Sequence, residues 1–176
     1  SHRADKRALP VADRHYNRRK IGSPQFVPPG RCLVLKTKDS GALWTTSWPF
    51  AEFTKHRWGG AWVNSMFRRE HGPLASVLIQ RAVAITRWYY PDTPALGMVT
   101  FIDPRHVKSE VMGACYRAAK FKRERCCCAP RKHPGTFSCN GISCEGLTQG
   151  GLMAFRLTPA RMPDAVAPDD DQLTLL

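Results

Sequence analysis

The chain has 176 residues, the length of one domain, and its 43% hydrophobic content is enough for one buried core but not for two. Its 27 Lys and Arg against 14 Asp and Glu give a formal charge of +13. Four of the acids, Asp164, Asp169, Asp170 and Asp171, follow Pro163 in a stretch without Lys or Arg, so residues 1–163 hold 27 basic against 10 acidic groups, a net +17. Such a balance disfavours a cationic substrate and favours a polyanion, nucleic acid first and anionic cofactors second. The apolar runs are too short or too interrupted, as by Arg81, to span a bilayer of roughly 30 Å. No basic n-region followed by an apolar h-region opens the chain, so the expected setting is cytoplasmic, without a membrane partner.

Residues 1–30 are rich in Arg, Lys and Pro. Pro24, Pro28 and Pro29 oppose a regular helix there, and the segment reads as a basic arm or lid. Residues 31–38 read as a strand, Asp39-Ser40-Gly41 as a hairpin turn and residues 42–48 as the returning strand. An aromatic, basic loop or short helix over 49–60 leads to a third strand at 61–69, rich in β-branched and aromatic residues. After the turn at His71-Gly72-Pro73, the apolar stripe of Val77, Leu78, Ala82, Ile85 and Tyr89 predicts a helix over 76–90, ended by Pro91 and Pro94. A buried strand at 96–102, a second helix at 111–122 and a closing strand from Gly151 to Thr158 complete the body, which spans residues 31–162. Residues 163–176 read as a flexible acidic tail.

Residues 123–148 lack periodicity and carry Pro130, Pro134, Gly135 and Gly141, the mark of a loop insertion. Five of the seven cysteines lie in it. Without a secretion signal, a metal or redox segment is favoured over a disulfide scaffold. Cys126, Cys128, His133, Cys139 and Cys144 have the donor types for one tetrahedral zinc or iron, although no clean Cys-x₂-Cys pair is present. Free or oxidised thiols are the alternative.

The order strand, strand, strand, Gly-containing turn, helix, strand, helix, strand, together with Cys115-Tyr-Arg-Ala-Ala-Lys-Phe121, resembles the GNAT acyltransferase superfamily. The implied fold is α+β, a mixed, mostly antiparallel twisted sheet flanked by helices, here with the Cys-rich insertion. The text from Arg14-His-Tyr-Asn through Leu43-Trp-Thr-Thr-Ser-Trp-Pro-Phe to Met98-Val-Thr-Phe-Ile-Asp-Pro is similar to phage and actinobacterial GNAT-like proteins. Within them, His15-Tyr16, the paired Arg68 and Arg69, Asp103 and Tyr116 resemble Mom-like phage enzymes that modify adenine in DNA. The resemblance implies an acyl donor such as acetyl-coenzyme A and, for a phage protein, the host cytoplasm.

It also implies roles. Tyr116 protonates or orients the leaving group, Asp103 acts as base or orienter, and Tyr16 joins them as a catalytic candidate. The cofactor's phosphates are expected at Arg68, Arg69, Gly72, Ala75 and Ser76, although Pro73 and Leu74 depart from the family's small-residue loop and Pro73 has no N–H. Arg14, His15, Arg18, Arg19 and Lys20 interleave cations with aromatic rings, as phosphate contact and base stacking require, and Trp48 adds a further ring surface. Asn64 and Ser65 offer an amide or hydroxyl to a substrate. The rival readings are an acetyl-coenzyme A N-acetyltransferase for a small amine or peptide and a nucleic-acid-binding module without chemistry.

Overall fold

A computed structural model describes residues 6–18, 20–23, 25, 29–50, 52, 54, 56–107, 111–124 and 152–168, and the backbone alone at 138–139, 142–143 and 174–175. The strands are β1 (Gly30–Lys36), β2 (Ala42–Pro49), β3 (Trp62–Arg69), β4 (Met98–Ile102), β5 (Lys122–Arg123), β6 (Ser138–Cys139), β7 (Ile142–Ser143), β8 (Met153–Leu157) and β9 (Thr174–Leu175). The helices are α1 (Leu9–Asp13), α2 (Ala75–Tyr89) and α3 (Ala114–Ala118). The main sheet runs β5-β8-β4-β3-β2-β1-β9, and β6 pairs with β7 apart from it. Every neighbouring pair in the main sheet is antiparallel except β3 and β4, which are parallel. A parallel pair needs a long crossover, and α2 supplies it. The architecture is thus an α+β mixed sheet flanked by helices.

Both faces of the sheet centre are covered, which explains why β2 is buried without interruption from Ala42 to Ser47 rather than alternating. On one face Leu33, Leu35, Trp44 and Trp62 pack with Leu78, Ile79, Ala82 and Ile85 of α2. On the other, Val34, Leu43 and Met66 pack against Ala8, Val11 and Ala12 of α1 and its N-terminal flank. A directed chain of hydrogen bonds ties β2 to α2: Trp44 Nε1 donates to Thr46 Oγ1 at 2.8 Å, Thr46 Oγ1 lies 3.0 Å from Thr86 Oγ1, and Thr86 donates to the Ala82 carbonyl at 2.7 Å. Because Thr86 gives its proton to Ala82, Thr46 must be the donor in the middle link.

Three segments differ from the sequence reading. The arm contains α1, with Pro10 in its first turn, where a missing N–H is harmless. The second helix is not 12 residues but the five of α3, bounded by Gly113 at φ +70 and Lys120 at φ +71, left-handed conformations that a helix does not propagate. Of the tail, expected to be flexible, residues 163–168 are described and held on α2, where the Arg87 guanidinium donates to the Pro163 carbonyl and the Val166 N–H to that of Ala84, and β9 pairs with the outer edge of β1. No helix among the described residues is long and apolar enough to cross a membrane.

Candidate active site

The parallel strands β3 and β4 stay together for only three residue pairs, Trp62 with Met98, Val63 with Val99 and Asn64 with Thr100. Beyond Asn64 the register between β2 and β3 shifts, with Thr45 opposite Met66 and Thr46 opposite Asn64, so Ser65 is an extra residue in β3. A bulge of this kind bends a strand and interrupts its ladder. A cavity of about 170 Å³ lies where the strands part, lined by Asn64–Phe67 of β3, Thr100–Ile102 of β4, His15–Asn17, Val107, Gly113, Cys115 and Tyr116. This is room for a small planar group rather than a drug-sized ligand.

Asn64 is the fixed point of the cavity. Its Nδ2 donates to the carbonyls of Thr45 (3.1 Å) and Met66 (2.9 Å), the two residues at the bulge. Both amide protons are therefore spent on backbone, and Asn64 does not offer them to a substrate as the sequence suggested. Its Oδ1 accepts from Tyr116 Oη at 2.7 Å and from Thr100 Oγ1 at 3.0 Å. Tyr116 is buried among Phe67, Phe121 and Phe155, and burial drives its phenol far above the ordinary value, so it stays protonated at neutral pH. Ser65 Oγ meets Ser47 Oγ at 2.6 Å, a structural contact.

Tyr16 faces the same cavity and lies between two imidazoles, His15 with ring centroids 4.5 Å apart and His106 at 5.1 Å with planes only 8° apart. Burial raises its pKa. The Asp103 N–H reaches Tyr16 Oη at 3.4 Å. Asp103 itself is gripped by Arg105, whose Nε and Nη2 donate to Oδ1 and Oδ2 at 2.8 and 2.7 Å and whose backbone N–H donates to Oδ1 at 3.0 Å. His106 Nδ1 stands 3.1 Å from Oδ2. With Arg105 as the main cause, the carboxyl is held well below the usual range, which suits an orienting carboxylate better than a proton acceptor. Thus Tyr16 and Tyr116 line one cavity, while Asp103 reaches Tyr16 through its backbone N–H and turns its carboxylate to Arg105 and His106. His106 and Arg105 escaped the sequence reading, because a turn after Pro104 has no periodicity to expose them.

The arm's cations are placed differently from expectation. Arg14 is paired with Glu70 through Nε (2.6 Å) and Nη2 (2.8 Å), and Arg68 joins the same carboxylate at 2.8 Å while donating to the Arg14 carbonyl. These arginines, Arg14 first, pull the Glu70 carboxyl down to about 2. Arg18 is almost wholly enclosed, bound to Asp13 at 2.6 Å and to the carbonyls of Ser23 and Gln25. It braces the loop after α1 rather than facing solvent. Lys20 is exposed, and Arg19 lies outside the described residues. Trp48 packs edge-on against Trp62 and Tyr90, with the Arg31 guanidinium over its ring, and is not part of the cavity lining.

Burial pushes His15 down from 6.5 to about 4, with Arg68 adding to the effect, and it does the same to His56. The unfolded chain therefore takes up these protons at higher pH than the native one. The stability they contribute is complete above pH 6.5 and is lost as pH falls from 6.5 towards 4. The thermal midpoint is expected to decline across that window, and His15→Gln should flatten the decline. A midpoint that is flat from pH 7 to pH 4 in the unsubstituted chain would contradict this assignment.

The expected phosphate loop does not fit the cradle that coenzyme A requires. Arg69 turns back on its own loop, donating to the carbonyls of Pro73 (2.6 Å) and Gly72 (2.8 Å). Leu74 occupies the N-cap of α2 without a side-chain cap and is exposed. What stays available is the uncapped first turn of α2 at Ala75 and Ser76, with Gly72 at φ +89 before it. Among the described residues no group of three His, Cys, Asp or Glu side chains converges on a metal-sized site. Of the proposed ligands, Cys126, Cys128, His133 and Cys144 lie outside the described residues, and Cys139 is described in its backbone alone. Comparison with family models, with curated proteins and with solved structures finds no match to the chain.

Proposed function

We propose that the chain is a GNAT-like group transferase that modifies a base of nucleic acid, adenine in DNA in the manner of Mom-like phage enzymes. The observation that carries this reading is the cavity at the parting of β3 and β4, where Tyr16 and Tyr116 meet around the Asn64 anchor. The element order of the GNAT resemblance, three strands, turn, helix, strand, helix, strand, is also the order of β1 to β3, α2, β4, α3 and β8, with the short β5, β6 and β7 between the last two. A net +17 over residues 1–163 supports a polyanionic partner.

In this reading the acceptor amine of the base enters the cavity. His106 stacks on Tyr16 outside the cavity lining, and with Nδ1–H directed at Asp103 its Nε2 would be left as an acceptor for the proton that the amine loses. Tyr116 Oη, turned away from Asn64 Oδ1, would be placed to donate its proton to a departing group. Asn64 survives that loss, because Thr100 still donates to its Oδ1. Tyr16, its two ring faces covered by His15 and His106, forms part of the cavity wall beside the base.

The turned-in Arg69 favours one rival, a nucleic-acid-binding module without acyl transfer. Acetyl-coenzyme A at millimolar concentration is expected to leave the thermal midpoint unchanged, since a bound ligand would raise it in proportion to ln(1 + [L]/Kd). A clear rise would show that Ala75 and Ser76 form a working cradle. A modified nucleoside in DNA from cells making the chain separates the transferase from the rival.

A further inference from the structure

A cluster of positive charge lies beside α3, among residues that do not line the cavity. A groove of about 700 Å³ is lined by Arg117, Lys120, Lys122, Arg123 and Arg161 around Phe121. Among the described residues no carboxylate lines it, and Glu124, next in the chain, is paired with Arg156 at 2.6 Å. Two of the five cations are positioned by groups that leave their charge uncompensated. Arg117 lies over the Phe155 ring at 5.9 Å, and Arg161 Nη1 reaches the Lys120 carbonyl at 3.4 Å. Like charges brought this close repel one another, so the fold gains nothing from the cluster itself.

Lys120 sharpens the point. Its φ of +71 is the left-handed position after a helix where glycine is the usual residue. A side chain there strains the backbone, yet the residue is a lysine directed into a groove already rich in cations. The groove is also joined to the candidate active site. Tyr116 and Arg117 are consecutive in α3, about 100° apart around the helix axis, one lining the cavity and the other the groove.

We propose that this groove holds the phosphate backbone of duplex DNA while α3 presents the cavity to a base, an inference that rests on the base-modification reading. Several cations of one sign along an open groove match a run of phosphates, each contact releasing condensed counterions.

The test is binding of the full chain to a labelled duplex over a salt series, with Lys120→Gly/Arg161→Ala compared with the unsubstituted protein. Glycine suits φ +71, so this variant is expected to keep its thermal midpoint. Losing two phosphate contacts should flatten the slope of log K against log[salt] by about 1.8. Arg14→Ala, which removes an arginine already paired with Glu70, should change the slope far less. An unchanged slope in the folded double variant, with tight binding by the unsubstituted chain, overturns the groove and leaves the transferase reading standing. A flattened slope without any modified base in cells supports the groove and overturns that reading. Failure of the unsubstituted chain to bind duplex DNA overturns both.

Discussion

Tyr116→Phe is expected to lower formation of the modified base by about 10²- to 10⁴-fold, the usual contribution of a positioned general acid. That range corresponds to about 2.7 to 5.4 kcal/mol of barrier. The structural consequence is smaller, because the lost hydrogen bond to Asn64 is worth roughly 0.5 to 1.5 kcal/mol and Thr100 keeps Oδ1 satisfied. Activity and stability should therefore separate, with the thermal midpoint lowered by only roughly 1 to 6 °C. Asp103→Asn should fall in the same activity range, since it abolishes the carboxylate that orients Arg105 and His106. The rate is read as modified nucleoside formed over time in an extract that supplies the donor. Near-normal rates in both folded variants would return these residues to structural roles.

Gly97→Ala is expected to destabilise the fold by roughly 2 to 4 kcal/mol, the sum of a left-handed backbone penalty and an overpacking penalty. Gly97 sits at φ +74 just before β4, and a Cβ there would lie 2.1 Å from the Leu157 carbonyl oxygen and 3.1 Å from Thr158 Cα. Both obstacles are backbone, which does not rotate aside as a side chain would. The Gly97 carbonyl also accepts the Trp62 N–H at 3.0 Å, so a shift at Gly97 reaches the start of the parallel β3–β4 pair. For a domain of this size the thermal midpoint should fall by roughly 5 to 15 °C. A midpoint within a degree or two of the unsubstituted protein would show that the end of β8 yields at this point.

The β1–β2 hairpin, β3, α2 and β4 were legible because alternation, turn residues and a helical stripe are local signals. Residues 111–122 misled for the same reason. Their apolar spacing suits a helix, but Gly113 packs so closely on the Phe155 ring that a Cβ would stand 2.4 Å from it, and Lys120 turns left-handed. Gly97 likewise starts β4 two residues later than its apolar text does. In the site, resemblance singled out Tyr16, Asp103 and Tyr116; the two tyrosines line one cavity, and Asp103 touches Tyr16 through its backbone N–H. Composition misjudged Arg14 because its partner, Glu70, is 56 residues away, and no charge count reveals that pairing. Asn64 read as a ligand-facing amide, since only the bulge after it leaves two carbonyls for its protons. His106 was invisible in a turn, because its stacking on Tyr16 is a tertiary contact.

The most direct measurement is mass spectrometry of nucleosides from the DNA of cells expressing the chain, compared with cells expressing Tyr116→Phe and with cells carrying no insert. A base-modifying transferase that works through the Tyr16–Tyr116 cavity predicts a mass-shifted adenine nucleoside with the unsubstituted chain, strongly reduced with Tyr116→Phe and absent without the insert. Nucleosides identical in all three, from cells shown to hold the folded protein, would contradict it.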